Sequence, residues 1–233
     1  MHISLSQQAY ENIKHEIVSL EMSPGSIIDE VNLQEELGLG RTPIREALKR
    51  LSLEKLVVIA PRRGMFVSAI GIRDLQQLFE MRLPLESLAA RLAAERGTEE
   101  QWQRMATVLA DLPEAAVENQ AMIAIDEACH EIIYEATENE FLKDTLVTHY
   151  ALSQRLWYYF LSKIGDMRDA LLDHSRVLEA LQARDAEKAA RLMERHIRAF
   201  QEEIQLVMID SALPGNVFDQ NMIVIEKDRL EVL

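Results

Sequence analysis

Asp126 and His130 lie four residues apart in "AIDEACHEIIYEA", a spacing that on an α-helix projects both side chains from one face at adjacent turns. Two further histidines follow, His174 in "LLDHSRVLEAL" and His196 in "LMERHIRAF". Imidazole and carboxylate groups from facing helices are how helical bundles hold metal ions. Three histidines and one aspartate suit a borderline divalent ion, zinc, nickel or manganese, better than calcium, which prefers oxygen ligands. Taken one at a time, each histidine reads first as an ordinary surface or hydrogen-bonded residue, and convergence is not visible in a linear sequence. Such a set with open coordination positions could also activate water, so a metal-dependent hydrolase is the rival reading. That chemistry needs a general base and an oxyanion partner beside the metal. Glu127 and Glu131 neighbour the candidate ligands but occupy other helical positions.

A second chemistry sits in residues 37–51, "LGLGRTPIREALKRL". At about 100° per residue, Arg41, Arg45, Lys49 and Ser52 fall within one arc of a helix and Ile44, Ala47, Leu48 and Leu51 within another. One face suits a core and the other an anion. A helix fits the major groove of B-form DNA, and in a helix-turn-helix the second helix enters it. Arg41 and Arg45 suit guanine edges or phosphates, because a guanidinium offers a planar fork of donors. Thr42 can reach a phosphate through its hydroxyl and the helix N-terminus. Arg62, Arg63 and Gly64 form a basic turn fit to track the minor groove or the backbone. The plainer alternative is a solvated basic face, which leaves the surrounding helix-turn-helix pattern unused.

The elements that must carry these residues divide the chain. Residues 1–70 read as three helices and a hairpin: one helix from a Ser6 cap to about Leu20, one over Glu30–Leu37 ending at Gly38, and one over Thr42–Glu54. In the third, Thr42 reads as the cap and Pro43 as the first helical residue. Val57–Ala60 and Met65–Ala69 are β-rich runs around the Pro-Arg-Arg-Gly turn, which makes a helix-turn-helix with a β-wing. From 71 to 210 the pattern is long helices, near 72–96, 98–111, 114–136, 139–163, 166–183 and 185–208, an antiparallel all-α bundle. Pro84 falls inside the first and should kink it. Residues 211–233 form a tail with an apolar run, Met222–Ile225, that fits neither unit.

Net charge is −14 over 233 residues, which by itself argues against a polyanionic partner. The average hides a local reversal. Residues 1–70 carry nine acidic and eight basic side chains, and between Gly40 and Arg63 seven basic residues face two acidic ones. Cys129 is the sole cysteine, so no intrachain disulfide is possible. The polar N-terminus lacks the apolar stretch of a signal peptide, and no apolar run approaches a membrane span, so a cytoplasmic protein is expected.

"LGLGRTPIREALKRLSLEKLVVIAPRRGMFV" resembles the winged helix-turn-helix of the GntR superfamily of bacterial transcription regulators, over about residues 8–70. The resemblance implies that Arg41 and Arg45 read DNA, with Thr42 and Gly64 contacting it; the basic face and turn read above add Lys49, Arg62 and Arg63 to the expected DNA surface. Many members carry an arginine early in the second helix where this chain has Val31, and that contact is not expected here. The second unit is similar to the FCD ligand-binding domain of the FadR branch, which often holds a divalent metal through an Asp-x-x-x-His pair and two later histidines. Asp126, His130, His174 and His196 match those positions in order. Six helices in this unit suit the VanR-like subgroup.

The resemblance also implies a small carboxylate effector at the metal's open positions. Arg82, in "EMRLPLE", matches an arginine lining that pocket in relatives, and it could clamp a carboxylate. It could equally pair with Glu86 within the helix. Arg155 is a second candidate. Trp157, Tyr158, Tyr159 and Phe160 read as core or dimer surface, and His149 as structural. The whole implies a homodimeric repressor on a pseudo-palindromic operator, released by its effector. An interaction module that only packs its helix-turn-helix would leave the basic face unexplained.

Overall fold

The computed structural model describes residues 3–69, 71–110, 119–160 and 168–212. It is mostly helical, with a winged helix-turn-helix followed by a helical domain, and the described residues cluster into two compact units that part at Ile72 and Arg73.

The first unit contains α1 (Leu5–Val18), α2 (Glu30–Leu37), α3 (Arg41–Leu53), β1 (Val57–Ala60) and β2 (Gly64–Val67). Ser4, two residues before the expected Ser6, caps α1 by accepting from the Gln7 N–H. Asp29 caps α2 by accepting from the N–H groups of Val31 and Asn32, and Gly38 ends it at φ +63°. Gly40, not Thr42, occupies the cap position of α3, so Thr42 and Pro43 lie inside the first turn. A cap needs extended backbone just before the helix, and Gly40 takes it at φ −72°, ψ 168° without a side-chain bond. Ile44, Ala47, Leu48 and Leu51 are buried on one face of α3, against α1, α2 and β1. Burying each of the larger three contributes about 1.5–3 kcal/mol.

The strands pair antiparallel, with Val57 opposite Val67 and Ala60 opposite Gly64. The second strand therefore starts one residue earlier and ends two earlier than its β-rich run, which extends to Ala69. Gly64 closes the turn at φ +111°, a backbone conformation strained for any residue with a Cβ. Ile27 bridges to Phe66 and adds a short third edge to the wing.

The second unit contains α4 (Ile72–Arg96), α5 (Glu99–Ala110), α6 (Asn119–Ala136), α7 (Glu140–Phe160), α8 (Arg168–Gln182) and α9 (Ala186–Ala212). The expected starts at 114 and 166 and the end at 163 fall outside the described residues, as does most of the tail. α4 continues through Pro84. Gly97 ends that helix under the Trp102 ring, so close that any Cβ would overlap the indole. α6, α8 and α9 frame the interior: α8 packs on α5, α6 and α9, and α6 also packs on α5 and α7. Phe200 of α9 lies between Phe79 of α4, edge-on at 5.5 Å, and Trp157 of α7, stacked at 4.1 Å. Trp157 and Phe160 are buried, whereas Tyr158 and Tyr159 are partly exposed.

Candidate metal centre and nucleic-acid interface

Asp126, His130, His174 and His196 converge although they come from α6, α8 and α9. One ligand atom from each lies within 4.8 Å of all the others, and all four residues are buried. His174 Nε2 is 2.8 Å from Asp126 Oδ1. His196 Nε2 is 3.6 Å from the same oxygen and 3.4 Å from His130 Nε2, which is 3.8 Å from Asp126 Oδ2. A metal bound at about 2.0–2.2 Å by nitrogen and oxygen ligands holds them roughly 3 to 4 Å apart. The three imidazoles present the same ring atom, Nε2, toward one carboxylate.

Burial alone would raise the Asp126 carboxyl, but His130, then His174 and His196, outweigh it and hold it well below the usual carboxylate range. Burial, then His174, pushes His196 well below its ordinary value, so it stays a neutral ligand-type imidazole. His174 Nδ1 is buried without a hydrogen-bond partner. Three Nε2 atoms and one carboxylate gathered at these distances are a donor set of the kind that holds a borderline divalent ion, so the residues present fit a divalent metal.

The surrounding shell contains two tyrosines that the sequence reading did not single out, and it gives Glu86 a neighbour that reading did not foresee. Tyr150 donates to Asp126 Oδ2 at 2.7 Å. Tyr134 donates to Glu86 Oε1 at 2.7 Å, and its oxygen lies 3.2 Å from His130 Nδ1. Glu86 Oε2 is 3.3 Å from that same nitrogen. Tyr134 follows His130 by four residues and was in principle visible on the helix face. Tyr150 carried no sequence signal. Cys129, beside His130 in the chain, is fully buried, and burial, then the Asp126 charge, pushes its thiol up.

Of the expected effector residues, Arg82 is buried in α4 and its Nε donates to Glu86 Oε1 at 3.0 Å, with Nη2 on the same oxygen. The intrahelical ion pair is therefore formed. Arg155 is buried in α7, and burial pushes it down to about 10. Glu127 accepts from Gln154 at 2.7 Å, and Glu131 is exposed. His149 donates from Nδ1 to the Thr145 carbonyl oxygen at 2.6 Å.

In the first unit Arg41, Thr42, Arg45, Lys49, Arg62, Arg63 and Gly64 are all exposed. Arg50, on the same helix, lies against α1 instead: its guanidinium stacks 3.6 Å over the Tyr10 ring, and it donates to Gln7 and Glu54. Val31 is 62% exposed, so the place of the family's additional arginine is open to solvent.

A basic helix on a winged scaffold, followed by a separate helical domain, is the organisation of a DNA-binding regulator. Residues 5–67 match the family described as bacterial regulatory proteins, gntR family, and residues 77–199 match the FCD domain. The chain belongs to the GntR family of transcription regulators that carry an FCD domain. It is similar to the HTH-type transcriptional regulator YdhC of Bacillus subtilis, 27% identical over 78% of this chain and 83% of that protein. It is also similar to the HTH-type transcriptional repressor RspR of Escherichia coli, 25% identical over 87% of this chain and 90% of that one. The solved structure of E. coli McbR/YncC shares the fold, with a TM-score of 0.77 over 90% of this chain and 99% of that one at 24% identity. The family and these relatives are regulators, not enzymes, and the hydrolase reading is set aside. No helix among the described residues is long and apolar enough to cross a membrane.

Proposed function

We propose that the protein is a cytoplasmic, homodimeric repressor whose hold on a pseudo-palindromic DNA operator is controlled by a small carboxylate bound beside a divalent metal, zinc, nickel or manganese. The observation that carries this reading is the convergence of Asp126, His130, His174 and His196 in the interior of a protein whose recognition helix shows solvent a basic face.

Arg41 and Arg45 would meet base edges or phosphates, Thr42 and Lys49 the flanking backbone, and Arg62, Arg63 and Gly64 the groove beside the wing. Two subunits related by a twofold axis would place two such helices on two half-sites. Asp126, His130, His174 and His196 would hold the metal, which supplies a Lewis-acid anchor for an anionic ligand. Arg155 and Arg82, buried cations on the helices that also supply Tyr150 and Glu86, are the residues proposed to meet such an acid. Arg82 would serve only by sharing its guanidinium with Glu86. The effector changes operator affinity by favouring one arrangement of the bundle, which requires unequal affinity for the two arrangements. The similarity to a named repressor supports the sign of the response.

The test begins with duplexes selected by the protein from random DNA. Binding should need two half-sites and fall steeply with salt. Metal analysis of protein purified without a chelator should give about one ion per chain, and one member of a panel of mono- to tricarboxylic acids should release the DNA only from the metal-loaded form. Absence of metal after reconstitution would remove the sensory half of the proposal and leave the DNA-binding half standing.

A further inference from the structure

Glu86 stands outside the four converging ligands, yet it is completely buried and its carboxylate faces the far side of one of them. Its Oε1 is occupied by Arg82 and by the Tyr134 hydroxyl. Its Oε2 finds no full hydrogen bond and lies 3.3 Å from His130 Nδ1. The Tyr134 hydroxyl gives its proton to Glu86, so its oxygen is left to accept, and that oxygen is also near His130 Nδ1. His130 Nδ1 therefore faces two acceptors and must be the ring's donor. The lone pair then belongs to Nε2, which points toward Asp126 and His196.

We propose that Glu86 is the positioning residue of the metal centre: with Tyr134 it fixes the ring orientation and tautomer of His130, and Arg82 anchors it from the opposite side. The proposal rests on the metal reading above. A carboxylate behind a ligating imidazole raises the basicity of the ligand and fixes its aim. The arrangement also gives the Arg82–Glu86 pair a purpose that a buried ion pair lacks when judged by stability alone, since burial costs both charges their hydration. The same residues connect the first long helix of this unit, α4, to the ligand helix α6.

The experiment uses the full chain, stripped of metal and titrated with zinc against a chromophoric chelator, and separately with cobalt followed by its ligand-field absorption. The variants are Glu86→Gln, Glu86→Asp and Tyr134→Phe, with His196→Ala as the ligand control. Glu86→Gln should weaken zinc binding by about 10- to 100-fold at unchanged stoichiometry and shift the cobalt bands. Glu86→Asp should recover part of both. Tyr134→Phe leaves the Arg82–Glu86 pair intact, so it carries the test if Glu86→Gln fails to fold, and it should move both readouts in the same direction. Wild-type affinity and an unchanged cobalt spectrum in folded Glu86→Gln or, failing that, in Tyr134→Phe would overturn the positioning role while wild type still binds one ion and His196→Ala binds none. A wild-type chain that binds neither metal would overturn the metal reading, and this one with it.

Discussion

Arg45, in the second turn of the recognition helix, is gripped by Glu30, the first residue of the preceding helix: Nε lies 2.6 Å from Oε2 and Nη2 lies 3.2 Å from Oε1. The hydrogen bond to Arg45 holds the Glu30 carboxyl below its ordinary value. Both residues remain partly exposed, so the pair directs the guanidinium more than it stabilises the fold. On the proposed reading of Arg45, DNA would either displace Glu30 or accept it as a neighbour of the bound base pair.

Arg45→Ala should therefore remove specific operator binding, about ten- to a hundredfold per half-site, with the unfolding midpoint unchanged. Glu30→Gln should strengthen binding to arbitrary duplex, because it removes a negative charge next to the phosphates. Fluorescence anisotropy at fixed salt, on selected and scrambled duplexes, reads both. Undiminished operator affinity in Arg45→Ala would contradict the recognition role.

His174→Ala should empty the metal centre and with it the effector response, while the head's contacts with DNA are retained. Elemental analysis and operator titration with and without the acid check this. Full metal occupancy in this variant would mean that the ligand set is wrong.

Arg82→Met breaks a buried pair and leaves the Glu86 charge uncompensated. The expected loss is about 3–5 kcal/mol of unfolding free energy, measured by urea titration. Metal and effector affinities should fall together, because Glu86 loses its anchor. A loss of effector affinity alone would instead make Arg82 a direct clamp.

The metal-free chain should lose stability on mild acidification. Burial, then His174, holds His196 well below its ordinary value near 6.5, so the unfolded chain takes up a proton that the folded one refuses. That contribution is complete above about pH 6.5 and declines as pH falls, by up to about 1.4 kcal/mol per unit. Asp126 and Glu86, both held below the carboxylate range, contribute stability that is present above about pH 4 and lost on further acidification. The urea midpoint of wild type should drop between about pH 7.5 and about pH 5.5, and His196→Gln should flatten the profile. A flat wild-type curve would show that His196 titrates normally.

Much of the fold was legible because helical periodicity is a sum over several turns. Ile44, Ala47, Leu48 and Leu51 mark the buried face of α3 whatever its first residue is. The ends were less legible, since a cap depends on the backbone of one residue: Ser4 serves in place of the expected Ser6, and Gly40 serves without a side-chain oxygen in place of Thr42. The site divides similarly. Asp126 and His130 share one helix and announce themselves by spacing, whereas His174 and His196 were visible as candidates and only the resemblance joined them to the pair. Glu86 behind His130 could not be read, because it depends on how α4 lies against α6, a tertiary fact with no periodic signature.

The one thiol in the chain provides an internal clock for the bundle. Cys129 is wholly enclosed, and its raised pKa leaves almost no thiolate, so an alkylating reagent reaches it only when the surrounding helices part. Under native conditions its labelling rate therefore counts opening events. Any ion or acid that binds the closed state should slow that rate by the factor that its binding adds to the closed population. Occupancy of the interior could thus be followed by mass spectrometry, without DNA and before the identity of the effector is known.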